Sequence, residues 1–118
     1  MNLQVRTTRE GRFLLAALDG ELDHHSAEYV RGTLDWEVDQ QRGTLLILDL
    51  GGLAFMDSSG LGVILGRYRK IKSQGGEMAI ANVPRGVDKV VQIAGLHKVM
   101  HVYRTSQEAL REMKGGLS

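Results

Sequence analysis

The sequence predicts a single α/β domain, a mixed β-sheet of about five strands opened by an antiparallel hairpin, with about four helices packed against it. Three observations carry that prediction. Extended, apolar-rich stretches alternate with stretches whose apolar residues recur every three or four positions. Each change of period falls at a glycine, a proline or a capping residue, and 118 residues leave room for one compact unit. Strands that alternate with helices need crossover connections, so several of them should run parallel.

Asn2–Thr8 alternates polar residues with Leu3 and Val5, and Arg12–Leu18 follows Arg9-Glu10-Gly11 as the second arm of a hairpin, with Gly20 breaking the pattern. From Ser26 onward, Ala27, Val30, Leu34 and Val38 trace one face of a helix that Gly43 stops. Thr44–Leu50 is almost continuously apolar and precedes Gly51-Gly52, which suits a central strand buried on both faces. After Asp57, the stripe Leu61, Ile64, Leu65, Tyr68 and Ile71 predicts a second helix, ended by Gly75-Gly76, and Glu77–Val83 reads as the next strand. Pro84 suits the first turn of a third helix carrying Val87, Val90, Val91 and Ala94 on one face and closed by Gly95. Val99–Tyr103 is a short strand. Thr105 and Glu108 have capping-box spacing before a last helix with Ala109, Leu110 and Met113 on one side, and Lys114–Ser118 reads as a frayed tail.

Composition excludes several classes of function. Fifteen Lys and Arg against fourteen Asp and Glu give a net charge of +1, far from the basic balance of a protein that tracks phosphates, so direct nucleic-acid binding is not expected. The absence of cysteine removes thiol chemistry and cysteine zinc sites and suits a reducing compartment, which makes the cytoplasm the default. No apolar run approaches a membrane span and Met1–Glu10 lacks a signal-peptide core, so export and membrane insertion are not expected either.

Chemistry is expected where the central strand runs into the second helix, because ligands of open α/β sheets bind at the carboxyl edge of the strands. There Asp57 suits an N-cap, and Ser58 and Ser59 fall in the first turn, beside unpaired amides and the positive end of the helix dipole. That setting favours an added phosphate, although Asp-Ser-Ser before a helix is also ordinary capping, and these arguments do not choose between the two serines. Gly60, Gly62 and Gly66 have neither dinucleotide nor phosphate-loop spacing; Gly62 and Gly66 read better as a close approach of the helix to the sheet or to a partner. His24-His25 and the His97/His101 pair lack convincing ligand spacing, and no nucleophile elbow supports a hydrolase, so no metal and no cofactor are expected. Arg67, Arg69, Lys70 and Lys72 read as a solvated basic face near a helix end. If consecutive strands are neighbours, Asp23 lies on the same edge as Ser58.

Gly20-Glu21-Leu22-Asp23-His24-His25, followed by Phe55-Met56-Asp57-Ser58-Ser59-Gly60-Leu61-Gly62-Val63-Ile64-Leu65-Gly66-Arg67-Tyr68, closely resembles the bacterial anti-sigma factor antagonists of the STAS family. The likeness continues through Gly75-Gly76-Glu77-Met78 and Gly95-Leu96, while Gly51-Gly52 stands where relatives commonly have a more polar pair. The resemblance implies a STAS-type domain over residues 1–113 with a carboxyl-terminal tail over 114–118. It also implies a protein that is the substrate of an enzyme rather than an enzyme. Its unphosphorylated form would bind an anti-sigma factor serine kinase and release a sigma factor of the sporulation sigma F type. Phosphorylation of Ser58 would break that complex, and a PP2C-type serine phosphatase would reset it. Asp23, Asp57, Ser59, Gly60, Leu61 and Gly62 would form the partner-binding surroundings of the phosphosite, and the free protein would be a monomer. The alternatives are a stress-response antagonist of a related kinase and a small nucleotide-binding or hydrolytic protein.

Overall fold

The structure, a computed structural model, describes residues 2–116. The hairpin consists of β1 (Leu3–Glu10) and β2 (Phe13–Leu22), and the chain continues through α1 (Ala27–Val38), β3 (Leu45–Met56), α2 (Ser58–Ser73), β4 (Glu77–Ala81) and α3 (Arg85–Ala94). A 3₁₀ turn at Leu96–Lys98, β5 (His101–Tyr103) and α4 (Ser106–Gly115) complete it. The strands form one sheet in the order β1-β2-β3-β4-β5, antiparallel only between β1 and β2. This is the predicted mixed sheet with its parallel strands and four helices.

The apolar stripes explain the layering. Val30, Leu34 and Val38 of α1, Val63, Ile64 and Ile71 of α2, and Val87 and Val91 of α3 enter one core with Leu14, Leu18, Leu46, Leu48 and Ile80 of the sheet. Helix α4 covers part of the opposite face, where Ala109 meets Ile47 and Ala81. Alternate side chains of a strand point to opposite faces, so the unbroken apolar run of β3 supplies both cores at once. Thr105 Oγ1 accepts the Glu108 amide at 3.0 Å, whereas the Glu108 carboxylate takes the Arg104 amide at 3.4 Å, one residue before the position a strict capping box uses.

Strand β3 does not stop at Gly51-Gly52. It continues to Met56 through two bulges: Ala17 pairs Asp49 but Asp19 pairs Gly52, and Gly20 pairs Leu53 but Glu21 pairs Phe55. Each irregularity gives β3 one extra residue, which resets the side-chain alternation. Leu50, Leu53 and Met56, three apart, therefore all face the core. A side chain at Gly52 would sit 2.4 Å from Asp19 Oδ1, so the glycine is what lets the bulge close on β2. Gly20, read above as a break, lies inside β2. Its φ of 117° suits glycine, and a Cβ there would meet the Asn2 carbonyl oxygen at 1.9 Å.

Smaller departures have equally local causes. Strand β4 ends at Ala81 because Asn82 turns into the left-handed region, at φ 56°. The 3₁₀ turn shortens β5 to three residues, and Pro84 caps α3 from an extended conformation rather than entering its first turn. Helix α4 runs through Gly115, so the expected tail begins inside it; Leu117 and Ser118 lie outside the described residues. Among the described residues no helix is long and apolar enough to cross a membrane.

Candidate functional site

The register of β2 and β3 brings their carboxyl ends level, with Leu22 beside Met56, so Asp23 and Asp57 follow side by side on one edge. The Asp57 amide reaches across to the Leu22 carbonyl at 3.4 Å and ties the two exits together. Asp57 is extended (φ −117°, ψ −167°), and its Oδ1 accepts the Ser59 amide at 2.9 Å, as an N-cap should. Its carbonyl accepts the Gly60 and Leu61 amides, so the helix begins at Ser58 without an intervening loop.

That start separates the two serines. Ser58 is exposed, whereas Ser59 is half-buried and faces the groove between α1 and α2. Gly60 sets the seating: it is buried, and a Cβ there would lie 2.5 Å from Met56 Cγ and 2.9 Å from Leu22 Cγ. The first turn of α2 is thus pressed onto the ends of β2 and β3 on one side and presents Ser58 on the other. Leu61 is half-buried against the core, and Gly62 is exposed with nothing within 4 Å of a built Cβ. A Cβ at the half-buried Gly66 likewise meets nothing within 4 Å, so Gly62 and Gly66 do not bring the helix closer to the sheet.

Asp23 sits in a tied turn. Its Oδ1 accepts the His25 and Ser26 amides at 2.9 and 3.1 Å, while the buried Ser26 hydroxyl donates to the Glu21 carbonyl at 2.7 Å and accepts the Asp23 amide at 3.1 Å. Partial desolvation raises the Asp23 carboxyl. The amide bonds from Ser26 and His25, the His25 charge and the Ser26 hydroxyl outweigh it and leave the group below the ordinary carboxylate value. The edge around Ser58 therefore carries the Asp23 carboxylate, tied into its turn, beside the Asp57 side chain that caps α2.

Other predicted features are rearranged. His24 and His25 stack edge to face at 5.8 Å and are exposed. The basic stretch of α2 is not a uniform solvated face. Arg67 is buried, its Nε 2.8 Å from Asp35 Oδ1; Lys70 reaches Asp39 at 3.0 Å, and Lys72 reaches Glu77 at 2.9 Å, leaving Arg69 exposed. Sequence reasoning passed over Ser26, whose knot holds Asp23, and the exposure of Phe55, 47% accessible beside the Ser58 edge. A serine three residues after an aspartate at a strand end is a readable turn signal, whereas the outward turn of Phe55 follows from a bulge that no local pattern announces.

Comparison with known proteins agrees with this architecture. The model of the STAS domain matches residues 4–109. An anti-sigma F factor antagonist of Paenibacillus polymyxa is 42% identical over 114 residues, 97% of either chain. The structure of the anti-sigma factor antagonist SpoIIAA in its unphosphorylated form superposes with a TM-score of 0.82 at 34% identity, covering 95% of this chain and 97% of the other. The phosphorylated form of the Bacillus cell fate determinant SpoIIAA gives 0.71 at 32% identity, covering 93% and 99%.

Proposed function

The chain belongs to the STAS domain family, and we propose that it is an anti-sigma factor antagonist switched by phosphorylation of Ser58. Unphosphorylated, it binds an anti-sigma factor serine kinase and frees the sigma factor, in a circuit of the sporulation sigma F type. The kinase transfers the γ-phosphoryl group of ATP to Ser58 Oγ, releasing ADP and the hydroxyl proton, and the complex parts. A PP2C-type phosphatase hydrolyses the ester and restores the binding form.

The observation that carries this reading is the exposed Ser58 hydroxyl at the first residue of α2, with Asp57 and Gly60 engaged in holding the turn rather than covering it. A phosphoserine brings about −1.5 to −2 charges. The helix N-terminus welcomes them by roughly 0.3–1 kcal/mol, while Asp23 and Asp57 oppose them, so the scaffold stays folded. At an interface the balance is different, because an unpaired charge trapped under a partner costs about 2–5 kcal/mol. That is roughly a thirty- to several-thousand-fold loss of affinity, and no rearrangement is needed. The surrounding Asp23, Asp57, Ser59, Gly60, Leu61 and Gly62 form the docking edge.

Incubation with an anti-sigma F kinase and ATP, followed by mass spectrometry, should place one phosphate on Ser58. Phosphate found on Ser59 alone would sink the assignment, and ATP turnover by the isolated protein would favour a small enzyme instead. Selective binding to a stress-response kinase would move the protein to that circuit with the same chemistry.

A further inference from the structure

Helix α2 carries two glycines whose absent side chains serve no contact inside the molecule. A Cβ at Gly62 or at Gly66 meets nothing within 4 Å, and a helix gives up stability for every interior glycine. Together with Ala27 they floor a trough of about 280 Å³ between α1 and α2, which starts at Ser59 and ends two turns further along the helix at Arg67. The Arg67 side chain is only 10% exposed. Its Nε lies 2.8 Å from Asp35 Oδ1 in an ion pair, yet Nε and Nη1 are both buried without a hydrogen-bond partner among the described residues, a costly state for a guanidinium. Arg31 stands on the opposite wall, ion-paired with Glu28, which lines the trough beside it and which an entering carboxylate would have to displace from Arg31. Burial and, after the opposing pull of Asp35, the charge of Arg31 hold the Arg67 guanidinium below its ordinary pKa, which marks two cations sharing one groove.

We propose that this trough receives an acidic side chain of the protein that docks over Ser58, with Arg31 and Arg67 as its charge partners and the space above Gly62 and Gly66 as the volume it fills. The proposal rests on the functional reading above and extends the docking edge from the phosphosite along α2. A carboxylate suits the site better than an apolar anchor. The walls supply two guanidinium charges, Arg31 exposed and Arg67 buried behind it, so a planar two-oxygen acceptor can pair with Arg31 and gain the nearby charge of Arg67. A partner that fills the trough also excludes water from the Arg67–Asp35 pair and strengthens it.

The glycines give a test in which folding and docking move in opposite directions. Gly62→Ala and Gly66→Ala should each raise the melting temperature, since the added methyl meets open space and the helix gains a better former. Each should also weaken binding of a purified anti-sigma F kinase, measured by titration calorimetry, about tenfold. Arg31→Ala should weaken binding by a similar factor and flatten its dependence on salt concentration. If the alanine variants are more stable and bind as tightly as the wild type, the trough is not a docking site. If they bind weakly while Arg31→Ala retains full affinity and salt dependence, its occupant is not acidic and the proposal fails. A wild-type protein that binds no anti-sigma kinase would overturn the functional reading itself, and the trough proposal with it.

Discussion

Two neighbouring strand-to-helix junctions begin alike and end differently. At the exit of β2 a buried Leu22 is followed by Asp23 and, three residues on, Ser26; at the exit of β3 a buried Met56 is followed by Asp57 and at once by Ser58. The first junction is tied inward, its serine 3% exposed and engaged with Glu21 and Asp23. The second enters the helix without a loop, so its aspartate caps the first turn and its serine is left outside. The same two residue types make a knot in one place and a handle in the other. The two intervening residues, His24 and His25, decide which, because they let Ser26 fold back under the turn.

Four measurements would break or sharpen that contrast. The largest effect is expected at the handle. Ser58→Asp should lose tens- to thousands-fold in kinase affinity, about 2–5 kcal/mol, while Ser58→Ala should bind normally and take up no phosphate; equal affinities in calorimetry would remove Ser58 from the interface. At the knot, Ser26→Ala should cost about 1–3 kcal/mol in urea unfolding, since it strands the Glu21 carbonyl and the Asp23 amide, against less than about 0.5 kcal/mol for Ser58→Ala. Similar losses at the two serines would erase the distinction.

Gly60→Ala tests what seats the handle. Its methyl must displace Met56 and the fully buried Leu22, so a loss of about 1–3 kcal/mol is expected, and a neutral result would mean the helix start is not pressed on the strand ends. The smallest effect concerns Asp23. A carboxyl held below its ordinary pKa in the folded state contributes stability that is complete above the unfolded value and is lost as pH falls through the folded one. Asp23→Asn removes that titration, so its melting temperature should fall less steeply along the acid limb. Parallel acid limbs for the two proteins would show that the turn does not depend on the charge.

Most of the scaffold was legible because it is written in local patterns. The stripe Val30, Leu34, Val38 and the run Thr44–Leu50 state their own periods, and Asp57 and Thr105 announce helix starts by chemistry that acts over two or three residues. The failures share one cause. Gly52 and Gly20 look like stops, since glycine ends strands more often than it continues them, but here each answers to an atom brought alongside by the sheet, Asp19 of β2 or Asn2 just before β1. Arg67 reads as a surface cation until Asp35 of another helix takes its charge.

By itself the sequence determined the order of the elements, the two-sided burial of β3 and the capped entry to α2, because backbone preference and apolar periodicity act over one or two turns of chain. It also narrowed the candidate handle to Ser58 and Ser59. Only the tertiary structure decided which of the two stands outside, which glycines fill space and which leave it open, and which cation is buried. Each of those outcomes depends on a strand or helix far away in the chain that packing alone brings alongside.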